Sequence, residues 1–163
     1  IGDHEMHAEL VSVTRATLQR LLEATGHIIA VGTTSVRTLE SLYHLGAYLK
    51  TYPETPFESL HVSQWQPYES PTELSPEEAL QSLLDYLDRH EEATLVFPTS
   101  IIIAPSYRYR MIRGMVTNFH QPHSTLLLLI AALLGEAWHE VYDYALTHDF
   151  RFLSYGDSSL LLP

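Results

Sequence analysis

The sequence has no cysteine in its 163 residues. Disulfides, thiolate zinc sites and a cysteine nucleophile are therefore excluded, and a reducing compartment is weakly favoured. Positive charge is scarce: nine Lys and Arg stand against twenty Asp and Glu, a net charge of −11. Sequence-independent nucleic-acid binding works by neutralising phosphates, so this balance argues against it for the chain alone. A membrane-spanning helix needs about 20 apolar residues. The uncharged block 125–135 ends too soon for that, at Gly135, Glu136 and His139, and reads as a core helix. Position 1 is Ile and no basic-then-apolar leader follows, which suggests a piece of a longer chain.

What is present is an ordinary apolar content and enough length for a proper core in one domain, 1–163. Val11 and Val13 alternate with polar residues as on a strand, and Thr14 caps a helix carrying Leu18, Leu21 and Leu22 that stops at Gly26. "HIIAV" (27–31) reads as a buried strand, Gly32 as a turn, and Val36, Leu39, Leu42 and Tyr43 as a helix ending near Gly46. Residues 47–75 form an irregular segment broken by Pro53, Pro56, Pro67 and Pro71, with "LHVSQW" as a short strand or edge. Ser75, Pro76 and Glu78 make a capping box before a stripe of Leu80, Leu83, Leu84 and Leu87. "TLVFP" and "SIIIAP" predict buried strands, and "YRYRMIRGMVTNF" alternates. Two helices at about 123–134 and 136–147 precede a closing strand and turn in "FRFLSYGDSSLLL". Strands alternating with helices predict an α/β fold with a mainly parallel sheet, open or curled towards a partial barrel.

In such sheets ligands bind beyond the carboxyl ends of strands, where loops enter helices. Two segments have that character. In "GTTSVRT" (32–38), Gly32 allows close backbone approach. Thr33, Thr34 and Ser35 can hold an anion at the helix start, and Arg37 can add a bidentate contact. Side-chain capping with an Arg37–Glu40 pair explains the same residues. In "TNFHQPHST" (117–125), Ser124 or Thr125 can cap a helix, and Asn118, His120 and His123 lie just upstream. The histidines, with ordinary pKa values of about 6.5, are acid–base candidates; a capping loop with surface histidines is the other reading.

Ten histidines raise the question of metal. His4, His7 and Glu9 lack helical HExxH spacing, and on a strand His4 and His7 would face opposite sides, so no metal site is assigned. Glu9 or Asp157 can instead act as a general base or hold a hydroxyl. Arg108, Arg110 and Arg113, interleaved with Tyr107 and Tyr109, form the one local basic patch, suited to RNA or to a solvated strand face.

"MHAE" (6–9), "AVGTTSVRTLES" (30–41), "TNFHQPHSTLLLLIAALLG" (117–135) and "FRFLSYGDSSLL" (150–161) occur in that order. Together they resemble the signature segments of the S-adenosylmethionine:tRNA ribosyltransferase-isomerase family of queuosine biosynthesis. The resemblance implies a two-domain protein about twice this length, whose N-terminal half, with an inserted β-barrel domain, is absent here. It implies S-adenosylmethionine as co-substrate, no metal, a tRNA bearing the queuosine precursor base as partner, a cytoplasmic location and no membrane. Its reaction moves the ribosyl unit onto an aminomethyl-deazaguanine base at the wobble position, giving epoxyqueuosine. Carried over by motif, Glu9, His120 and Asp157 are the catalytic candidates. Thr33, Thr34, Ser35, Arg37, Asn118, Phe119, Ser124 and Tyr155 are the binding candidates. The family usually reads "NFHLPKST"; here Gln121 and His123 replace Leu and Lys. No counterpart is placed for the roughly fifty residues between Gly46 and Ile101. These departures and the acidic balance keep open a non-catalytic or altered-substrate paralogue acting as a binding domain.

Overall fold

The computed structural model describes residues 6–163. Strand β1 (Glu9–Thr14) leads into helix α1 (Arg15–Glu23), whose N-cap Thr14 accepts a hydrogen bond from the amide of Thr17. Strand β2 (Ile29–Val31) ends at Gly32, and helix α2 (Thr33–Thr51) follows. A single turn, α3 (Gln66–Glu69), precedes α4 (Pro76–Arg89), which starts on the expected capping box. Then come β3 (Thr94–Thr99), β4 (Gly114–Asn118), α5 (Thr125–Leu134), α6 (Trp138–Thr147) and β5 (Ser158–Leu161).

The strands form two small sheets, β1–β3 and β2–β4–β5. The expected mainly parallel sheet is not what forms. Only β2 and β4 run parallel, whereas β1–β3 and β4–β5 are antiparallel. The prediction took each strand–helix alternation as a crossover within one sheet, but β1 pairs instead with a strand eighty residues later in the chain, in a register running from Glu9–Thr99 to Thr14–Thr94.

The helices α2 and α4 cross at the heart of the core. The stripe Leu80, Leu83, Leu84 and Leu87 is almost fully buried, each side chain contributing about 2 kcal/mol by removal from water. Helix α2 runs past Gly46 because that glycine is a contact and not an end. A Cβ there would lie 2.2 Å from the carbonyl oxygen of Ala79. The helix thereby takes the first residues of the irregular segment 47–75. Within that segment Val62 bridges Thr99, the edge contact foreseen for "LHVSQW".

Ile101–Ala104 is buried but not a strand. Its backbone groups are satisfied elsewhere: Ile102 N–H donates to the Gln64 carbonyl, Ala104 N–H to the Tyr68 hydroxyl, and the Ile101 carbonyl accepts from Arg37. Strand β4 likewise begins only at Gly114, and the residues before it form a loop. Helix α5 is less buried than a core helix should be. Only Leu129 and Ile130 are buried, and its other residues are half-covered. Residues 125–147 have the length and apolarity of a membrane span. The run is broken, however, at Gly135, which has φ of +57° and opens a 3-10 turn. The ten residues of α5 reach about 15 Å, half a bilayer core.

Candidate functional site

The parallel pair β2–β4 sets the site. Val31 is in register with Val116, and the Gly32 amide donates to the Val116 carbonyl at 2.8 Å. The chain therefore leaves both strands at the same sheet edge, into residues 32–38 on one side and 117–124 on the other. Gly32 turns with φ of +87°, a conformation that favours glycine. It is also the N-cap of α2, with no side-chain cap hydrogen bond. Among the described residues, the first amides of the helix, from Thr33 to Ser35, are left without a capping acceptor at the positive end of its dipole. Thr34 and Ser35 are exposed and Thr33 is half-buried. The alternative of side-chain capping with an Arg37–Glu40 pair is not what the structure contains.

Arg37 is buried and points inward. Its Nη1 lies 2.9 Å from Glu9 Oε1, its Nε donates to the Ile101 carbonyl, and its Nη2 has no hydrogen-bond partner among the described residues. One turn on, Ser41 and Thr99 share a hydrogen bond of 2.8 Å. The N-terminal half of α2 is thus fastened to the ends of β1 and β3, and Glu9 comes to the same region as Arg37.

On the β4 side, Asn118 donates from Nδ2 to the carbonyls of Leu153 (2.8 Å) and Asp157 (3.4 Å), holding the C-terminal loop. Half-buried His120 shares a hydrogen bond between Nε2 and Thr117 Oγ1 at 2.8 Å, and its amide donates to the Tyr142 hydroxyl. Burial pushes its pKa below the ordinary histidine value, which favours the neutral imidazole. Phe119 is buried within a ring cluster of Tyr142, Phe150 and Phe152. Ser124 caps α5 by accepting from the Leu126 amide. Asp157 accepts from the backbone and guanidinium of Arg151, which holds its carboxyl below the usual aspartate range. Tyr155 is exposed, as is His123, whose φ is +63°. His4 lies outside the described residues. Among those described, no group of three or more His, Asp or Glu is placed to hold a metal.

Sequence reasoning missed a buried polar centre. Glu40, fully buried on α2, accepts from the Tyr107 hydroxyl (2.7 Å) and from the amides of Arg110, Met111 and Ile112. Burial raises its pKa, and the four donors oppose that rise. Tyr107 spends its one proton on Glu40, so His44 Nε2–H donates to the Tyr107 oxygen, at 2.9 Å. Burial, aided by Arg110, lowers His44 to about 4. The available signal was a carboxylate inside the Val36–Tyr43 apolar stripe. This centre also explains why "YRYRMIR" is a loop: its amides go to Glu40. It splits the basic patch as well, turning Arg110 over the Tyr43 ring while Arg108 and Arg113 stay exposed.

The expected single cleft over 32–38 and 117–124 is not seen among the described grooves. A groove of about 930 Å³ lies at the opposite end of β2 and β4, lined by His27, Arg108, Arg113 and Trp138 among others.

A family model described as queuosine biosynthesis protein matches residues 1–161. The chain belongs to that family. The match includes the residues between Gly46 and Ile101, for which the motifs alone gave no counterpart. An S-adenosylmethionine:tRNA ribosyltransferase-isomerase of Cereibacter sphaeroides is 35% identical over 167 residues, covering 100% of this chain and 36% of that protein. A relative of the same name from Erythrobacter litoralis is 34% identical, covering 99% of the chain and 35% of its own length. A crystal structure of an S-adenosylmethionine tRNA ribosyltransferase from Thermotoga maritima superposes with a TM-score of 0.58 at 29% identity, over 94% of this chain and 40% of that one. The chain thus spans little more than a third of the curated queuosine-family relatives it matches.

Proposed function

We propose that this chain is part of a tRNA-modifying transferase-isomerase. The whole protein would move the ribosyl moiety of S-adenosylmethionine onto the aminomethyl-deazaguanine base at the tRNA wobble position, giving epoxyqueuosine. The observation that carries the reading is the Val31–Val116 parallel register, which brings two helix-leading loops to one edge. The uncapped start of α2, with the hydroxyls of Thr33, Thr34 and Ser35, suits the methionine carboxylate of the co-substrate. The unpaired Nη2 of Arg37 is buried in the ligand-free chain and becomes a further donor only if the site edge shifts to open it. The reaction needs a proton removed beside the sulfonium, which calls for a base in its deprotonated form. Nε2 of His120 is engaged by Thr117, so in the Nε2–H tautomer Nδ1 takes that proton, and the Glu9 carboxylate is the second candidate. Asn118 and Asp157 keep the C-terminal loop, with Tyr155, beside the ribosyl unit.

Calorimetry of the full-length protein with S-adenosylmethionine tests the binding step. Heat of binding in the wild type that weakens in Thr34→Ala is expected; no heat in the wild type removes the co-substrate. Incubation with co-substrate and precursor tRNA, followed by nucleoside mass spectrometry, tests the chemistry. Binding without epoxyqueuosine would leave a non-catalytic or altered-substrate paralogue.

A further inference from the structure

The sheet β2–β4–β5 has one covered face and one open one. Ala30, Met115 and Leu161 are in register with each other and buried. On the other face the register aligns Val31, Val116 and Leu160, with Ile29 two residues before Val31. There Val31 is 68% exposed, Leu160 57% and Ile29 45%. Leu162, 58% exposed, lies across the same face, since a Cβ on Gly114 would meet its Cδ2 at 2.6 Å. Five aliphatic side chains without an ionisable group among them make a surface unsuited to phosphate and suited to an apolar layer. At one end this face reaches Asn118, two residues beyond Val116 on the same side of β4.

We infer that this face is the seat of a further layer of the same polypeptide, an apolar segment from outside these 163 residues. Family length and effective concentration point to the same chain and not to a second copy. The match covers only 36% of one curated relative and 40% of the solved one, so most of a family protein lies outside it. A segment of the same chain meets the face at high effective concentration. Helix α5 is also half-covered around most of its circumference, as expected where more of the chain packs on. The layer borders Asn118 and so completes the site edge that this chain leaves open. The inference rests on family length and exposure, not on the reaction proposed above.

Because these 163 residues contain no cysteine, a thiol introduced in them is identified by its own peptide. In the full-length protein, Val31→Cys and Leu160→Cys are labelled with N-ethylmaleimide and read by peptide mass spectrometry, with Glu77→Cys, at an exposed position in the first turn of α4, as reference. Labelling at 31 and 160 is expected to be at least about tenfold slower than at 77, at every protein concentration. Equal rates would show the face open and overturn the inference. Protection that appears only as concentration rises would assign the face to a second copy and overturn it equally. Hydroxyl-radical footprinting of wild-type full-length protein gives a mutation-free readout: slow oxidation of Val31 and Leu160 supports the layer, and oxidation as fast as at the exposed aliphatic Leu146 opposes it. Neither measurement involves co-substrate or tRNA, so each can fail independently of the enzymatic reading.

Discussion

Arg37 of α2 holds Glu9 of β1 at 2.9 Å, with the arginine side chain 5% exposed and the glutamate 43%. A buried guanidinium needs that carboxylate more than the half-exposed carboxylate needs it. Glu9→Gln should therefore cost about 1–2 kcal/mol, the lower part of the range for stranding a buried charge because solvent reaches the pair. A urea unfolding midpoint unchanged from wild type would show that the pair contributes nothing.

Thr34 gives a cleaner test of the binding edge because it is exposed. Thr34→Ala should change stability by less than about 0.5 kcal/mol. In the full-length protein it should weaken S-adenosylmethionine by roughly 0.5–1.5 kcal/mol, the worth of one hydrogen bond. Calorimetry and thermal melts on the same samples separate the two effects.

His120 carries the pH prediction for activity. Its pKa is lowered by burial in the ligand-free chain, so the acid limb of the kcat/KM profile should lie below the ordinary histidine value. His120→Gln should reduce turnover by about 10²-fold or more and abolish that limb. A limb that survives the substitution assigns the base elsewhere.

His44 predicts a stability effect with a definite sign. Its value falls from 6.5 to about 4 on folding, so between those pH values the unfolded chain binds the extra proton. Stability is then fully present above about 6.5 and lost as pH falls towards 4, by about 3 kcal/mol in all. His44→Gln, which keeps a donor for Tyr107, should flatten that part of the melting-temperature profile relative to wild type.

Glu40 and Gly46 test the packing around α2. Glu40→Gln turns an amide N–H group towards donors that now meet a carboxylate oxygen, at a cost of about 2–3 kcal/mol. Gly46→Ala places a methyl 2.2 Å from a backbone oxygen, so α2 and α4 must separate, costing about 1–3 kcal/mol or more. Denaturant melts measure both, and a neutral Gly46→Ala would mean the helices yield without loss.

Local signals in the sequence were reliable where the physics is local. Thr14, Ser75 and Ser124 cap their helices because a cap involves residues two or three apart. Leu80, Leu83, Leu84 and Leu87 are buried together because helical period fixes their face. Gly32 breaks β2 from α2 as its turn requires. The misread places share one cause: partners distant in sequence. "SIIIAP" has the composition of a strand, yet Arg37, Gln64 and Tyr68 take its backbone groups. Gly46 looked like a helix end because nothing nearby announces Ala79.

By itself the sequence determined the capped starts of α1, α4 and α5, the family motifs and the two loops that precede α2 and α5. Each depends on residues a few positions apart or on the order of short segments. Only tertiary structure decided that β1 pairs antiparallel with β3, that Glu9 reaches Arg37, that Glu40 gathers the 110–112 amides, and that Val31, Val116 and Leu160 share an uncovered face. These are pairings across tens of residues, set by which partners best satisfy buried charge, backbone donors and apolar area once the chain has closed on itself.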